Sequence, residues 1–466
     1  MVRFELFKPQ VIPPLDLDFR PIVLANRGFT DAAGDSKSVA PLVIGLERGD
    51  GSVSVFETIT SADLANVVDA ARHAELLVKC LLWMRGGRRV YVGGPSSIGQ
   101  HIKAVYSEHG KRSFDAEFMG NVYDNNFEVV VTDVDSVPKP SEKSMNLGRH
   151  FEGCRVGFDL GASDRKVAAV VDGVPVFSEE VEWDPRNQSD PEYHYSEIMS
   201  AIKKAASYMP RLDAVGGSAA GIYIGNRVKV ASLFRGVSET DFRDRVQNIF
   251  LRMKEDLGGI PFEVVNDGEV TALAGSMSLE ENSVLGIALG SSEAGGYVTS
   301  EGCITGWLNE LAFVPIDVNP DAPTDEWSGD IGCGASYLSQ QAVFRLAPKA
   351  GIVLDENLSP AGRLRVVQDM LEKGSEGARL IFETIGVYLG YAIAHYADFY
   401  DIRNVLVLGR VTSGEGGAIL VDKAKEVLTA EFPDLSDSVK LHLPDESSRR
   451  VGQAVAAASL PALEAS

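Results

Sequence analysis

Three strand-like segments in this chain run directly into turns built from small residues. Val156–Leu160 meets Gly161-Ala162-Ser163, Val284–Leu289 meets Gly290-Ser291-Ser292, and Val405–Leu408 meets Gly409, with Gly414, Gly416 and Gly417 just beyond. A strand that ends this way offers backbone N–H groups with no bulky side chain in front of them, which is what a close-approaching anion needs. One such turn is weak evidence, because glycine turns are common. Three, in a chain that alternates strand and helix patterns, constrain the fold to the α/β class and point to a phosphate-bearing ligand.

The chain has 466 residues, enough at about 150 per domain for two or three domains. With 45% hydrophobic and 24% charged residues it has the composition of an ordinary globular protein. The net charge of −22 is opposite to that of a phosphate-backbone binder, so nucleic acid is not an expected partner. The acidity is uneven: residues 1–150 carry a net of −2 and residues 151–466 a net of −20. Cys80, Cys154, Cys303 and Cys333 are scattered, which suits a reduced, cytoplasmic location. The first ten residues hold no apolar signal core, and no run approaches the roughly 18 apolar residues of a membrane helix.

Residues 1–40 are punctuated by Pro9, Pro13, Pro14 and Pro21 and read as irregular and partly extended. Leu42–Thr60 alternates around Gly49-Asp50-Gly51, a strand–turn–strand pattern. Ser61 is a plausible N-cap for a helix with Leu64, Val67, Val68, Ala71, Leu77, Leu81 and Met84 on one face. Val90–Val92 reads as a strand and Ser97–Tyr106 as a helix. The polar, proline-containing stretch Asp133–His150 is the best linker. The expected division is an N-terminal α/β domain at 1–135, a linker at 136–150, and two lobes at 151–285 and 286–466.

Past the linker, three strands from Val156 to Val181 enclose the first turn; an ordinary hairpin is the alternative to a phosphate clasp there. Helices are expected at Tyr193–Met209, Asp241–Leu257, Glu269–Ser276, Gly377–Tyr400 and Ala418–Leu428. The strand Ala214–Ser218 contains Gly216-Gly217, and Phe262–Val265 runs into Asn266-Asp267. Phosphoryl transfer needs one carboxylate near Mg²⁺ and one to accept a hydroxyl proton. Asp159 and Asp267 stand at strand ends and fit those needs; Asp267 equally fits a helix N-cap.

The order of these motifs over residues 155–466 resembles the ROK family of sugar kinases, of the actin/hexokinase superfold. Asp159-Leu160-Gly161-Ala162-Ser163 resembles its first phosphate motif, Asn266-Asp267 its N-D motif, Leu289–Gly296 its second phosphate motif, and Asn309–Phe313 its G-E-x-G-H motif. The resemblance implies a two-lobed ribonuclease-H-like kinase fold and ATP-dependent phosphorylation of a sugar hydroxyl. Asp267 would be the general base, with Asn266, Glu310, Gly217 and Ser218 on the sugar. Gly161, Ser163, Gly290, Ser291, Ser292, Gly409 and Gly414 would hold the nucleotide, and Asp159 the Mg²⁺. Departures are Ala162, Ser292, Glu293 and Phe313. Glu293 brings a negative charge toward the expected phosphates, and Phe313 replaces a zinc-ligating histidine while Cys333 stands without a companion cysteine. One cysteine cannot build a structural zinc site, so no zinc is expected. Expected partners are a sugar and a nucleotide, with no membrane; homo-oligomerisation is left open.

The departures make a catalytically weak or inactive sugar-binding regulator the alternative. A DNA-binding repressor is disfavoured, because the N-terminal residues show no basic recognition helix. The N-terminal region is either an unrelated module or a decayed copy of the kinase fold.

Overall fold

The structure, a computed structural model, describes residues 8–63, 67–142, 147–443 and 446–463, with residues 446–451 by backbone alone. The linker residues 143–146 and the expected helix position Leu64 lie outside the described residues. Two compact units form. One contains Met1–Lys143, Ile287–Gly295 and Trp307–Leu443; the other contains Ser144–Gly286, Gly296–Gly306 and Pro444–Ser466.

In the first unit, β1 (Val39–Glu47), β2 (Val53–Ser61), β3 (Arg89–Gly93) and β4 (Glu128–Thr132) form a sheet in the order β2-β1-β3-β4. The Gly49-Asp50-Gly51 turn joins β1 to β2, with Gly51 at φ +80 and Asp50 accepting from the Ser52 N–H. The Val67–Arg85 helix is buried on nearly every side from Ala70 to Met84, so even Glu75 and Lys79 are inside. A helix apolar all round belongs in a core. The Pro-punctuated start is more ordered than expected: Ile22–Gly34 is a helix. Pro21 sits just before its first turn, where a missing N–H costs nothing, and Ile22, Val23 and Phe29 supply a buried face. Its first amide, Ile22 N, donates to the Ile316 carbonyl.

The second unit is built on β5 (Cys154–Leu160), β6 (Asp164–Val171), β7 (Val174–Glu182), β8 (Ala214–Ala219) and β11 (Phe262–Asn266), in the order β11-β8-β5-β6-β7. The β9 (Ile222–Ile224) and β10 (Arg227–Val230) hairpin lies apart as its own ribbon. β5, β6 and β7 run antiparallel, while β8 and β11 are added parallel on the other side of β5. Phe158, Ile198, Ile202, Phe250 and Phe262 pack one face. The Glu446–Ala458 helix covers the other, against Ala168 and Val170. Gly157 and Gly216 permit this: a Cβ on either would stand 1.8 Å from the Ala454 oxygen and 1.7 Å from the Ala457 oxygen, respectively. The expected single helix Asp241–Leu257 is instead a wide turn at Phe242–Val246 followed by a helix at Ile249–Asp256. The Gln247 carbonyl leaves the helical ladder to accept from Val228 N of β10.

The chain passes between the units within β12 (Val284–Leu289) and β13 (Glu293–Val298). With β14 (Asn404–Leu408) and β15 (Lys440–His442) they form a sheet in the order β13-β12-β14-β15, which repeats the order β6-β5-β8-β11. This recurrence of one strand order is the ribonuclease-H-like plan expected from the sequence. The N-terminal sheet has the same strand order, β2-β1-β3-β4, but not the same directions: β1 and β3 pair antiparallel, whereas the corresponding joint β5–β8 is parallel. That reversed joint sets the N-terminal sheet apart from the other two.

Candidate functional site

The strongest group of chemistry-bearing side chains lies in the second unit, at the ends of β5, β8 and β11. Parallel neighbours deliver their C-terminal residues side by side, and the register sets Asp159 beside Ser218. Ser218 is fully buried, and its hydroxyl donates to Asp159 Oδ1 at 2.6 Å. The antiparallel β5–β6 register puts Lys166 opposite Asp159. Lys166 Nζ lies 3.2 Å from Asp159 Oδ2 and 3.2 Å from Asp164 Oδ1. Burial opposes the Lys166 charge, but Asp159 and Asp164 together hold its pKa above the ordinary lysine value. Arg165 points to the other face of β6 and pairs with Glu197.

Asp267 opens the helix Asp267–Leu279 directly after β11. Burial, and then the charge of Asp159, push its carboxyl pKa up to about 6. The N-cap of this helix is Asn266, not Asp267. Its Oδ1 accepts from Gly268 N at 2.7 Å, and its Nδ2 donates to the Gly221 carbonyl at 2.7 Å. Both ends of the Asn266 amide thus serve the local fold. Gly217 is buried where a Cβ would meet the Phe158 ring at 2.2 Å, so its smallness serves β-sheet packing.

The first small-residue turn is a tight hairpin. Gly161 N donates to the Asp164 carbonyl, and Trp183 Nε1 donates to the Gly161 carbonyl. Ser163 is exposed at its tip. In the first unit, Gly290 N is likewise engaged, donating to the Ser292 carbonyl; Ser291 is exposed and Ser292 partly so. An anion at either glycine amide would compete with a turn hydrogen bond. Gly409 stands at φ +97, where a Cβ would meet the Leu289 backbone at 2.3 Å, and Gly414 caps the Glu415–Glu431 helix at φ +70. Gly409 thus closes the ends of β12 and β14 tightly against each other, whereas a Cβ on Gly414 would meet only Glu372 Oε1, at 3.9 Å.

Glu293 does not do what its sequence position suggests. It is buried, turned into the first unit, and accepts from Tyr396 OH at 2.8 Å. Its other oxygen has no hydrogen-bond partner. Burial pushes its pKa up to about 8, so at neutral pH it is chiefly uncharged and adds little negative field. Asn309 takes the left-handed conformation at φ +52, which asparagine tolerates, and Glu310 follows half-buried. Phe313 stacks on Trp83 with ring centres 4.1 Å apart. Cys333 is buried as a free thiol. Among the described residues, no three His, Cys, Asp or Glu side chains gather as a metal-holding group. No described helix is long and apolar enough to cross a membrane.

Sequence reasoning gave Lys166 no role, although hairpin pairing places it opposite Asp159. It did not foresee the partners of Trp83, Tyr396 and Tyr400, which lie far along the chain.

No protein-family model matches the chain. No curated protein matches it. Solved structures do. A ROK hexokinase from Thermus thermophilus is similar at 18% identity and TM-score 0.51, covering 65% of this chain and 97% of its own. A ROK-family transcriptional regulator, a homologue of the E. coli MLC protein, is similar at 17% identity and TM-score 0.50, covering 69% of this chain and 81% of its own. At such identity the likeness establishes the architecture: the chain carries the hexokinase-type α/β fold found in ROK-family proteins.

Proposed function

We propose that this protein is an ATP-dependent sugar kinase, with Asp267 as the base that takes the proton from the attacking sugar hydroxyl. One observation carries the reading: a carboxylate at a helix start, raised to about 6 by burial and by Asp159, in the same unit as a Ser218–Asp159–Lys166 network. A base needs a pKa near the working pH, and this environment supplies one. Glu310 is assigned to the sugar, because a carboxylate accepts from two hydroxyls at once. Ser163, Ser291 and Ser292 are assigned to the nucleotide phosphates by their hydroxyls, with Gly161, Gly290, Gly409 and Gly414 shaping their turns.

Asp159 fits a magnesium ion held through water. Each of its oxygens accepts one hydrogen bond here and retains lone-pair capacity, while Lys166 beside it opposes a direct cation contact. Magnesium bound there would neutralise phosphate charge during transfer. Lys166 offers a second positive charge in the same place.

The engaged Asp159 also favours a second reading, a sugar-binding regulator without turnover. A coupled ADP-release assay with ATP, Mg²⁺ and a panel of hexoses and N-acetylhexosamines decides between them. Sugar-dependent ADP release that is lost in Asp267→Asn supports the kinase. Stabilisation by a sugar without ADP release supports the regulator. Turnover that survives Asp267→Asn removes Asp267 from its role.

A further inference from the structure

We propose that the C-terminal end of the Val67–Arg85 helix is the positioning element for Glu310, with Trp83 as the positioning residue. The proposal rests on the assignment of Glu310 to the sugar.

A helix end leaves its last carbonyls without partners. Here two of them are filled by the loop in question: Asn309 N donates to the Met84 carbonyl and Glu310 N to the Trp83 carbonyl, each at 2.9 Å. The backbone of Glu310 is therefore tied to a helix more than 220 residues earlier in the chain. Asn309 holds the turn from the other side: it is 3% exposed, and its Oδ1 accepts from Tyr400 OH at 3.0 Å.

The short turn Leu311–Phe313 that follows Glu310 is fixed at its far end by the same helix. The Phe313 ring stacks on the Trp83 indole at 24°. Trp83 is fully buried and has one settled orientation, because its Nε1 donates to Asp115 at 3.0 Å. Asp115 in turn pairs with the buried Lys79, one helical turn before Trp83. Glu310 is thus bracketed by two attachments to one rigid element, a hydrogen bond at its own amide and a ring stack three residues on. A carboxylate that must meet two hydroxyls at once loses affinity steeply when its backbone drifts by an ångström. The N-terminal region thereby acquires a chemical task, which is to set the sugar-side geometry.

The test uses the full chain and two substitutions, Trp83→Ala and Trp83→Phe. Hydrogen–deuterium exchange is read at the amides of 309–314, with β14 as internal control. Trp83→Ala should speed exchange at 309–314 about tenfold while β14 is unchanged. With the hexose that supports ADP release, its KM should rise about tenfold with kcat changed less than about threefold. Trp83→Phe keeps a stacking ring but loses the second ring of the indole and its N–H, so it should restore both readouts in part. Unchanged exchange at 309–314 in Trp83→Ala overturns the proposal, and so does a fall in kcat with KM unmoved. Should Trp83→Ala fail to fold, Asp115→Asn, which weakens the orienting hydrogen bond, carries the same expectations in reduced size. Absence of turnover with every sugar defeats the kinase reading alone, since the exchange measurement still decides the positioning.

Discussion

Asp267 and Glu293 are both carboxyls that burial drives toward the neutral form, and they differ in what they can do about it. Asp267 opens a helix that follows a strand end, with a pKa near 6, and can cycle a proton at neutral pH. Replacing it with Asn should lower kcat by about 10²–10⁴-fold while leaving sugar affinity within a few-fold, read by ADP release and by calorimetry. The kcat/KM profile should rise with pH through an apparent pKa near 6. Because Asp159 raises that value, Asp159→Asn should move the acid limb to lower pH. Glu293 instead stays protonated in the folded protein up to about pH 8, against an ordinary value of 4.5. Between those two pH values the unfolded chain binds fewer protons than the folded one, so its contribution to stability falls as pH rises. Glu293→Gln should therefore gain over wild type in urea unfolding as pH goes from 5 to 8. A constant difference would place the Glu293 charge elsewhere.

At the scale of elements, small residues here mark close packing more often than ligand binding. Gly157 and Gly216 let the C-terminal helix lie directly on β5 and β8, and Gly217 makes room for Phe158. Gly216→Ala should cost about 1–3 kcal/mol or more and expose the Glu446–Ala458 helix to proteolysis. The N-cap on Asp267–Leu279 holds the helix that carries the base. Asn266→Ala should lose about 0.5–2 kcal/mol in thermal or urea unfolding. These roles were not legible from the glycine and asparagine motifs, because a strand-end glycine looks the same whether a phosphate or a carbonyl lies above it.

In the molecule as a whole, the first 143 residues cluster with residues 287–295 and 307–443. Lys79, fully buried, joins Asp115 of the early chain to Asp330 of the late chain. Burial disfavours its charge, but the two carboxylates overcome that and hold its pKa above the ordinary lysine value. Lys79→Met should cost about 3–5 kcal/mol in urea unfolding, since it takes the ion-pair partner from the buried Asp115. Arg112 also pairs with Asp330 and with Glu75, so the charges form a network rather than a lone pair.

The sequence by itself determined the α/β class, most strands and several helices from residue 154 onward, and the strand ends that carry Asp159 and Asp267. Those follow from local rules: apolar runs bounded by glycine, and a strand register that any hairpin enforces. The change of charge and pattern near residue 150 stands as an expected boundary. Only the tertiary structure decided that Glu293 faces inward, that Asn266 is the cap, and that Trp83 and Lys79 meet partners beyond residue 310. The cap is a local choice between adjacent side chains, but the Glu293, Trp83 and Lys79 contacts join segments more than a hundred residues apart, and neither periodicity nor motif spacing encodes which buried face a distant helix will fill.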